Sequence, residues 1–322
     1  MRLRGLWALL GCVGLSGVLA AQTAASGWPP SPGHAQMQLW PRGVPNPENQ
    51  PAGQGPSAMP APPSGPEYDT TTSKDNLIAG RRLVRLGNVT EPTLTLYKAP
   101  SAKNTHAAVV VFPGGGYSIL AMDLEGTEVC DWLNRIGVNC VLLKYRVPGS
   151  GPYPKSAAAL QDAQRAMGMV REHAAEWGID PKKVGVLGFS AGAHLAAAVS
   201  THYEKRLYSK VDAADELSCK PDFAIVIYPG YLAVEEKGMA FNPDIPVTAE
   251  TPPTFLLQAE DDPVHVENAI EYFMALKRAG VAAELHVYTK GGHGYGLRPT
   301  ELPVTHWPAM AGTWLRTIGM IP

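Results

Sequence analysis

The chain has 322 residues, 45% of them hydrophobic, and a formal net charge of −2. That length allows a single mixed domain with a large core. The near balance of charge leaves no basic face for nucleic acid and no acidic tail for a cationic partner, so the expected ligand is a small or neutral molecule.

In chain order, "MRLRGLWALLGCVGLSGVLAAQTAAS" comes first: two arginines, an apolar run broken by glycines, then small residues. This is the three-part plan of a secretory signal over 1–21, with cleavage near Ala20 or Ala21. The run falls short of the ~20 strongly apolar residues of a spanning helix, so no stable membrane insertion is expected after cleavage. The protein is therefore expected in the periplasm or secreted, with "LLGC" at Cys12 a minor lipoprotein alternative. Beyond the signal remain Cys130, Cys140 and Cys219, so at most one internal disulfide can form and at least one thiol stays free. No Cys-x-x-Cys or His-x-x-x-His cluster is present, and no metal is expected.

Residues 22–68 are dense in Pro, Gly, Ser and Ala and read as a flexible or extended leader, docked in part at 37–46 ("MQLWPRGVPN") through Leu39 and Trp40. The folded domain is expected over 69–322. It begins with the alternating "RRLVRLGNVTEPTLTLYKAP", which predicts one or two antiparallel edge strands.

Six apolar runs then read as strands buried on both faces: 107–112, 139–145, 183–189, 223–229, 254–260 and 283–289. Helices are expected between several of them. Those at 125–136, 153–177 and 266–278 each stop at or just before a glycine, namely Gly137, Gly178 and Gly280. Strand and helix in alternation predict an α/β fold, a mostly parallel central sheet with helices on both faces. Such sheets bind ligands beyond the carboxyl ends of their strands.

"GFSAG" stands at that place, between the run 183–189 and the Ala-rich "AHLAAAVS". A strand turning at once into a helix strains the residue between them, and Gly188 and Gly192 allow the close packing this requires. Ser190 is projected as a nucleophile, with the N–H of Ala191 free to hold an oxyanion; the bland reading is a structural turn with an idle serine. "PGGGY" after the run 107–112 supplies a second loop whose backbone approaches a ligand closely, offering Gly115 or Gly116 as the other oxyanion donor. A phosphate loop is disfavoured because no Gly-Lys-Ser/Thr follows.

A nucleophilic serine needs a base and an orienting acid, in the order Ser, acid, His. His293, in "KGGHGYG" past the run 283–289, is the base candidate. His265, which opens a helix, and His286, inside a strand, are weaker candidates, and His194 reads as a structural histidine. "DDPVH" leaves the acid open between Asp261 and Asp262. Asp162 and Arg165 read as local polar contacts on a packed helix, and "NVT" at Asn88 as a glycosylation triplet of the kind that arises by chance. Tyr117, Tyr231, Tyr295 and Trp307 could line a cleft or merely fill rim and core.

Taken together, "LWPRGVP", "PGGGY", "LNRIGVNCVLLKYRVP", "VGVLGFSAGAHLAA" and "DDPVHVENAIEYFMALKRAGVAAELHVYTKGGHGYGL" resemble the α/β-hydrolase-fold carbohydrate esterases of the acetylxylan-esterase type, from Leu39 to the C-terminus. The resemblance implies Ser190 as nucleophile, His293 as base, and hydrolysis of acyl esters, foremost acetyl, on xylan or xylo-oligosaccharides without metal or cofactor. It favours Asp261 as the acid, because the related motif sets the aspartate three residues before a valine, here Val264; His265 stands where relatives often carry proline, and a slip to Asp262 stays open. Pro113 stands where lipases have histidine, which argues against close kinship with them. Tyr117 becomes a substrate-binding candidate. Other readings are a feruloyl or general carboxylesterase, or a peptidase or lactone hydrolase on the same fold.

Overall fold

The computed structural model describes residues 33–45, 66–69 and 77–322. The expected signal over 1–21, the Cys12 site and most of the Pro-rich leader lie outside the described residues.

Eight strands form the central sheet: β1 (Gln36–Gln38), β2 (Thr93–Tyr97), β3 (Ala108–Phe112), β4 (Asn139–Lys144), β5 (Val184–Phe189), β6 (Ala224–Ile227), β7 (Thr254–Ala259) and β8 (Ala283–Tyr288). Their spatial order is β1-β2-β4-β3-β5-β6-β7-β8. The six from β3 to β8 run parallel, and β2 and β1 add an antiparallel edge. Strands β3 to β7 are Val-, Leu- and Ile-rich and buried throughout, as a parallel sheet covered on both faces requires. The register aligns Phe112 with Gly188 and Phe189 with Ile227, so the loops leaving β3, β5 and β6 open together at one edge.

Side chains alternate across a strand, and the last two residues of β5 show what covers each face. Phe189 meets Trp307 of α6 (Trp307–Thr317) with ring centroids 5.9 Å apart. Gly188 faces the other way, where an added Cβ would sit 2.0 Å from the Gly192 carbonyl oxygen of α4 (Ala191–Thr201). α1 (Glu128–Arg135) shares the α6 layer through the Trp132–Trp307 contact at 5.3 Å, and α2 (Ala157–Glu172) packs on α4. α3 (Ala174–Trp177) and α5 (Glu267–Arg278) are the other α-helices among the described residues.

The helices differ from expectation in three places. The segment expected to be helical from 125 opens as a π-helical turn, Asp123–Thr127, before α1. The helix expected from 153 starts at Ala157, because Pro154 disfavours helical geometry at Tyr153. It also ends early, at Glu172, and the short α3 that follows His173 is what stops at Gly178, with φ of 70°. Cys130 of α1 and Cys140 of β4 form a disulfide, and Cys219 is free and buried.

The leader's contact at 37–46 is tight where it is described; Asn46 lies outside the described residues. Leu39 is fully buried and Trp40 is 6% exposed. Trp40 donates from Nε1 to Asp162 Oδ1 at 2.7 Å, and the guanidinium groups of Arg146 and Arg165 lie 5.8 and 5.7 Å from its ring. Arg165 also donates to the Leu39 carbonyl at 3.2 Å. Asp162 and Arg165 thus correct the reading of them as local contacts: they receive a segment more than a hundred residues away.

Candidate active site

Ser190 sits between β5 and α4 with φ 52° and ψ −118°, a conformation a non-glycine residue rarely holds. Gly192 packs so closely on the neighbouring loop that a Cβ there would lie 2.1 Å from the Phe112 carbonyl oxygen, and a Cβ on Gly114 would lie 2.9 Å from Ser190 Cβ. The Ser190 N–H is spent on the Ile227 carbonyl at 3.1 Å, which anchors the turn to β6.

His293 reaches this serine from the loop after β8, its Nε2 2.8 Å from Ser190 Oγ. Its Nδ1 lies 2.9 Å from Asp262 Oδ2. With the proton on Nδ1, the ring donates to Asp262 and accepts from the serine hydroxyl. Asp262 is buried and further fixed: Oδ1 accepts from the Val264 N–H at 2.7 Å, and Oδ2 from Gln258 Nε2 at 3.0 Å.

The preference for Asp261 is corrected by this geometry. Asp261 points outward, and its Oδ1 accepts from the Gly291 and Gly292 N–H groups at 2.9 and 2.8 Å, with Lys290 beside it. Those N–H groups and the lysine hold its carboxyl below the usual range. It braces the histidine loop and makes no contact with the imidazole. The adjacent Asp262 turns inward because the chain bends after Ala259, whose carbonyl accepts the Asp262 N–H at 3.3 Å.

The glycine loop lies across from the serine. Gly115 has φ of 134°, and a Cβ there would fall 2.1 Å from the Ile119 carbonyl oxygen; Gly116 has φ of 63°. Among the described residues, no acceptor takes the N–H of Gly115, Gly116 or Ala191. Three donors therefore stand unspent on the loop and helix that flank the serine, one of them at the N-terminus of an eleven-residue helix. The Gly114 N–H is not among them: it donates to Glu125 Oε2 at 2.6 Å.

Tyr117 corrects a second expectation. Its ring is fully buried, and its hydroxyl shares a 2.7 Å hydrogen bond with His194 Nδ1, so it is packing beneath the site and not a wall of the cleft. Burial holds the His194 imidazole down at about 3, so it stays neutral. Tyr231, stacked on Tyr117 at 6.1 Å, is the aromatic left 37% exposed. Its hydroxyl lies 3.9 Å from where a Gly116 side chain would begin. Tyr295 and Trp307 are buried, and Trp307 donates to the Gly296 carbonyl at 2.8 Å. His286 pairs with Glu284, while His265 is exposed with φ of 73°. Asn88 is only 6% exposed and donates to the Pro66 carbonyl, which leaves no space for a glycan.

Three residues around the site escaped the sequence reading: Glu125, Tyr228 and Gln258. Tyr228 carried one signal, its place directly after β6, beside the strand that leads into Ser190.

Residues 109–245 match the family described as alpha/beta hydrolase fold. The acetylxylan esterase of Xylanibacter ruminicola is 32% identical over 238 residues, 66% of this chain and 45% of that protein. Endo-1,4-beta-xylanase B of Butyrivibrio fibrisolvens is 29% identical over 204 residues, 58% of this chain and 32% of that protein. The chain thus spans less than half the length of these two curated relatives. Among solved structures, the acetyl ester-xyloside bifunctional hydrolase of Caldicellulosiruptor lactoaceticus superposes with a TM-score of 0.64 at 38% identity, covering 73% of this chain and 91% of that one.

Proposed function

The chain belongs to the α/β-hydrolase fold family, and from that premise we propose that it is a serine esterase removing acyl groups, foremost acetyl, from xylan or xylo-oligosaccharides. One observation carries the chemistry: the unbroken line from Asp262 through His293 to Ser190 Oγ, at 2.9 and 2.8 Å, flanked by a loop and a helix that carry three unspent N–H groups.

His293 Nε2 takes the hydroxyl proton as Ser190 Oγ attacks the ester carbonyl, and Asp262 stabilises the imidazolium that forms. The carbonyl oxygen becomes an oxyanion held by the N–H of Ala191 and those of Gly115 and Gly116, donors already in place before the charge develops. Collapse expels the sugar alcohol, which takes its proton from His293. Water, deprotonated by the same nitrogen, then attacks the acyl-serine and releases the carboxylic acid. Each half returns the proton it borrowed, and Ser190 is regenerated.

The carbohydrate part of the proposal is supported by the likeness to an acetylxylan esterase and to an acetyl ester-xyloside hydrolase, and by the exposed Tyr231 ring beside the oxyanion loop. Aromatic faces of this kind pack against the apolar face of a sugar ring. Export is part of the same proposal. The Cys130–Cys140 bridge fits an oxidising compartment, and the signal over 1–21 is its sequence basis.

The test is acetate release from acetylated xylan by purified protein, beside Ser190→Ala, a small aryl acetate and a methyl ferulate. Release from xylan that disappears with Ser190→Ala supports the full proposal. Turnover of the aryl acetate or the ferulate alone reduces it to a general or feruloyl carboxylesterase, and no ester turnover moves the reading to a peptidase or lactone hydrolase.

A further inference from the structure

Glu125 is a carboxylate only 4% exposed that no step of the ester reaction uses. An ionised carboxyl is costly to bury unless donors meet it, and here each oxygen has one. Oε2 accepts from the Gly114 N–H at 2.6 Å, and Oε1 from the Tyr228 hydroxyl at 2.8 Å. Burial pushes this carboxyl up, and the Tyr228 and Gly114 bonds pull it back toward the ionised form.

Both donors belong to the reacting machinery. Gly114 directly precedes Gly115 and Gly116, and the loop is pinned on its other side by the Tyr145 hydroxyl on the Pro113 carbonyl at 2.5 Å. Tyr228 accepts from the Gly296 N–H at 3.2 Å, three residues past His293, and lies edge-on to the His293 ring with centroids 5.0 Å apart. The line Gly114, Glu125, Tyr228, Gly296 therefore runs without a gap from the oxyanion loop to the histidine loop.

We propose that Glu125 is a positioning residue that sets the spacing between the oxyanion donors and His293, acting on one loop through Gly114 and on the other through Tyr228. The proposal rests on reading Ser190 and His293 as nucleophile and base. A carboxylate suits the task because two donors converge on it. An amide at the same place offers one oxygen, so either Gly114 or Tyr228 meets an NH2 group instead of an acceptor.

The test compares wild type with Glu125→Gln, Tyr228→Phe and the double variant. The readouts are the rate of Ser190 labelling by a fluorophosphonate, followed by mass spectrometry, and turnover of a small aryl acetate. Labelling needs the activated serine but no ester, so a wild type that labels without hydrolysing acetate sinks the esterase reading while the variants still decide the strut. The expected result is a fall of about ten- to a hundredfold in the maximal labelling rate for each single variant, with half-saturation unchanged, since misplacing donors by a fraction of an ångström acts on the transition state. The double variant should be within about threefold of Glu125→Gln, because the line is already broken. Labelling of Tyr228→Phe within twofold of wild type overturns the proposal, and this holds even if Glu125→Gln fails to fold. Single effects that multiply in the double variant overturn it as well.

Discussion

Replacing Asp262 by asparagine separates it from Asp261 as the acid. Three donors converge on its two oxygens: His293 Nδ1 at 2.9 Å, Gln258 Nε2 at 3.0 Å and the Val264 N–H at 2.7 Å. An amide accepts at one oxygen only. Whichever way it turns, at least one donor faces an NH2 group, and holding the Val264 bond places that group against both His293 and Gln258. The imidazole then carries its proton on Nε2, where it cannot take one from Ser190. A wrong tautomer of this kind costs on the order of 10⁴ in kcat. At about 1.4 kcal/mol per factor of ten, that is roughly 5–6 kcal/mol of transition-state stabilisation. Asp261→Asn should behave differently. Its side chain is exposed, an amide oxygen can still accept from Gly291 and Gly292, and the lost charge near Lys290 contributes little, so kcat should change by less than about threefold. The assay is steady-state turnover of an aryl acetate by both variants at pH 7, with thermal unfolding to confirm folding. An Asp262→Asn enzyme within tenfold of wild type, or an Asp261→Asn enzyme that is the more impaired of the two, refutes the assignment.

His194 makes stability depend on pH. Its folded value of about 3 lies below the ordinary 6.5, so the unfolded chain takes up the proton first. Its contribution is complete above pH 6.5 and falls by about 1.4 kcal/mol per pH unit below it. Urea unfolding at pH 6.5 and 4.5 should show a smaller loss in His194→Gln than in wild type, and equal losses would contradict the burial argument. Reducing the Cys130–Cys140 bridge, which closes a loop with a sequence separation of 10, should lower stability by about 2.5–3 kcal/mol, read as a drop in Tm with added reductant. Trp40→Phe keeps most of the ring but removes the donor to Asp162, which retains Arg146. A loss of about 1–2 kcal/mol is expected by denaturant titration, and no loss would mean that the leader contact is ornamental to the fold.

The parallel sheet was legible because strands buried on both faces leave continuous apolar runs, and glycines mark the helix ends. Ser190 and His293 were legible because their surroundings are themselves unusual: paired small residues at a strand-to-helix turn, and glycines around a histidine. What sequence could not show was direction. Asp261 and Asp262 are chemically identical neighbours, and one turn after β7 decides which faces the imidazole. A local hint existed in Asp262-Pro263-Val264, since an aspartate that bonds the N–H two residues on forms a turn of its own. Tyr117 was one of four aromatics open to a cleft or a core reading, and with φ of 59° the chain folds it inward onto His194. Glu125 was invisible because its partners are 11 and 103 residues away, joined only once β3 and β6 lie on either side of β5.

The leader's docking also orders events in time. Trp40 emerges from the ribosome early, but its partner Asp162 follows 122 residues later, and the strand that β1 joins lies between them. Closing so long a loop is slow compared with forming the local strand-helix units it must wait for. The Trp40 contact therefore cannot close until the chain has been made as far as α2, and β2 remains the edge of the sheet for as long as β1 is undocked. During that interval β2 presents unpaired backbone to any other extended chain, a hazard that a quick clasp by Leu39 and Trp40 would shorten.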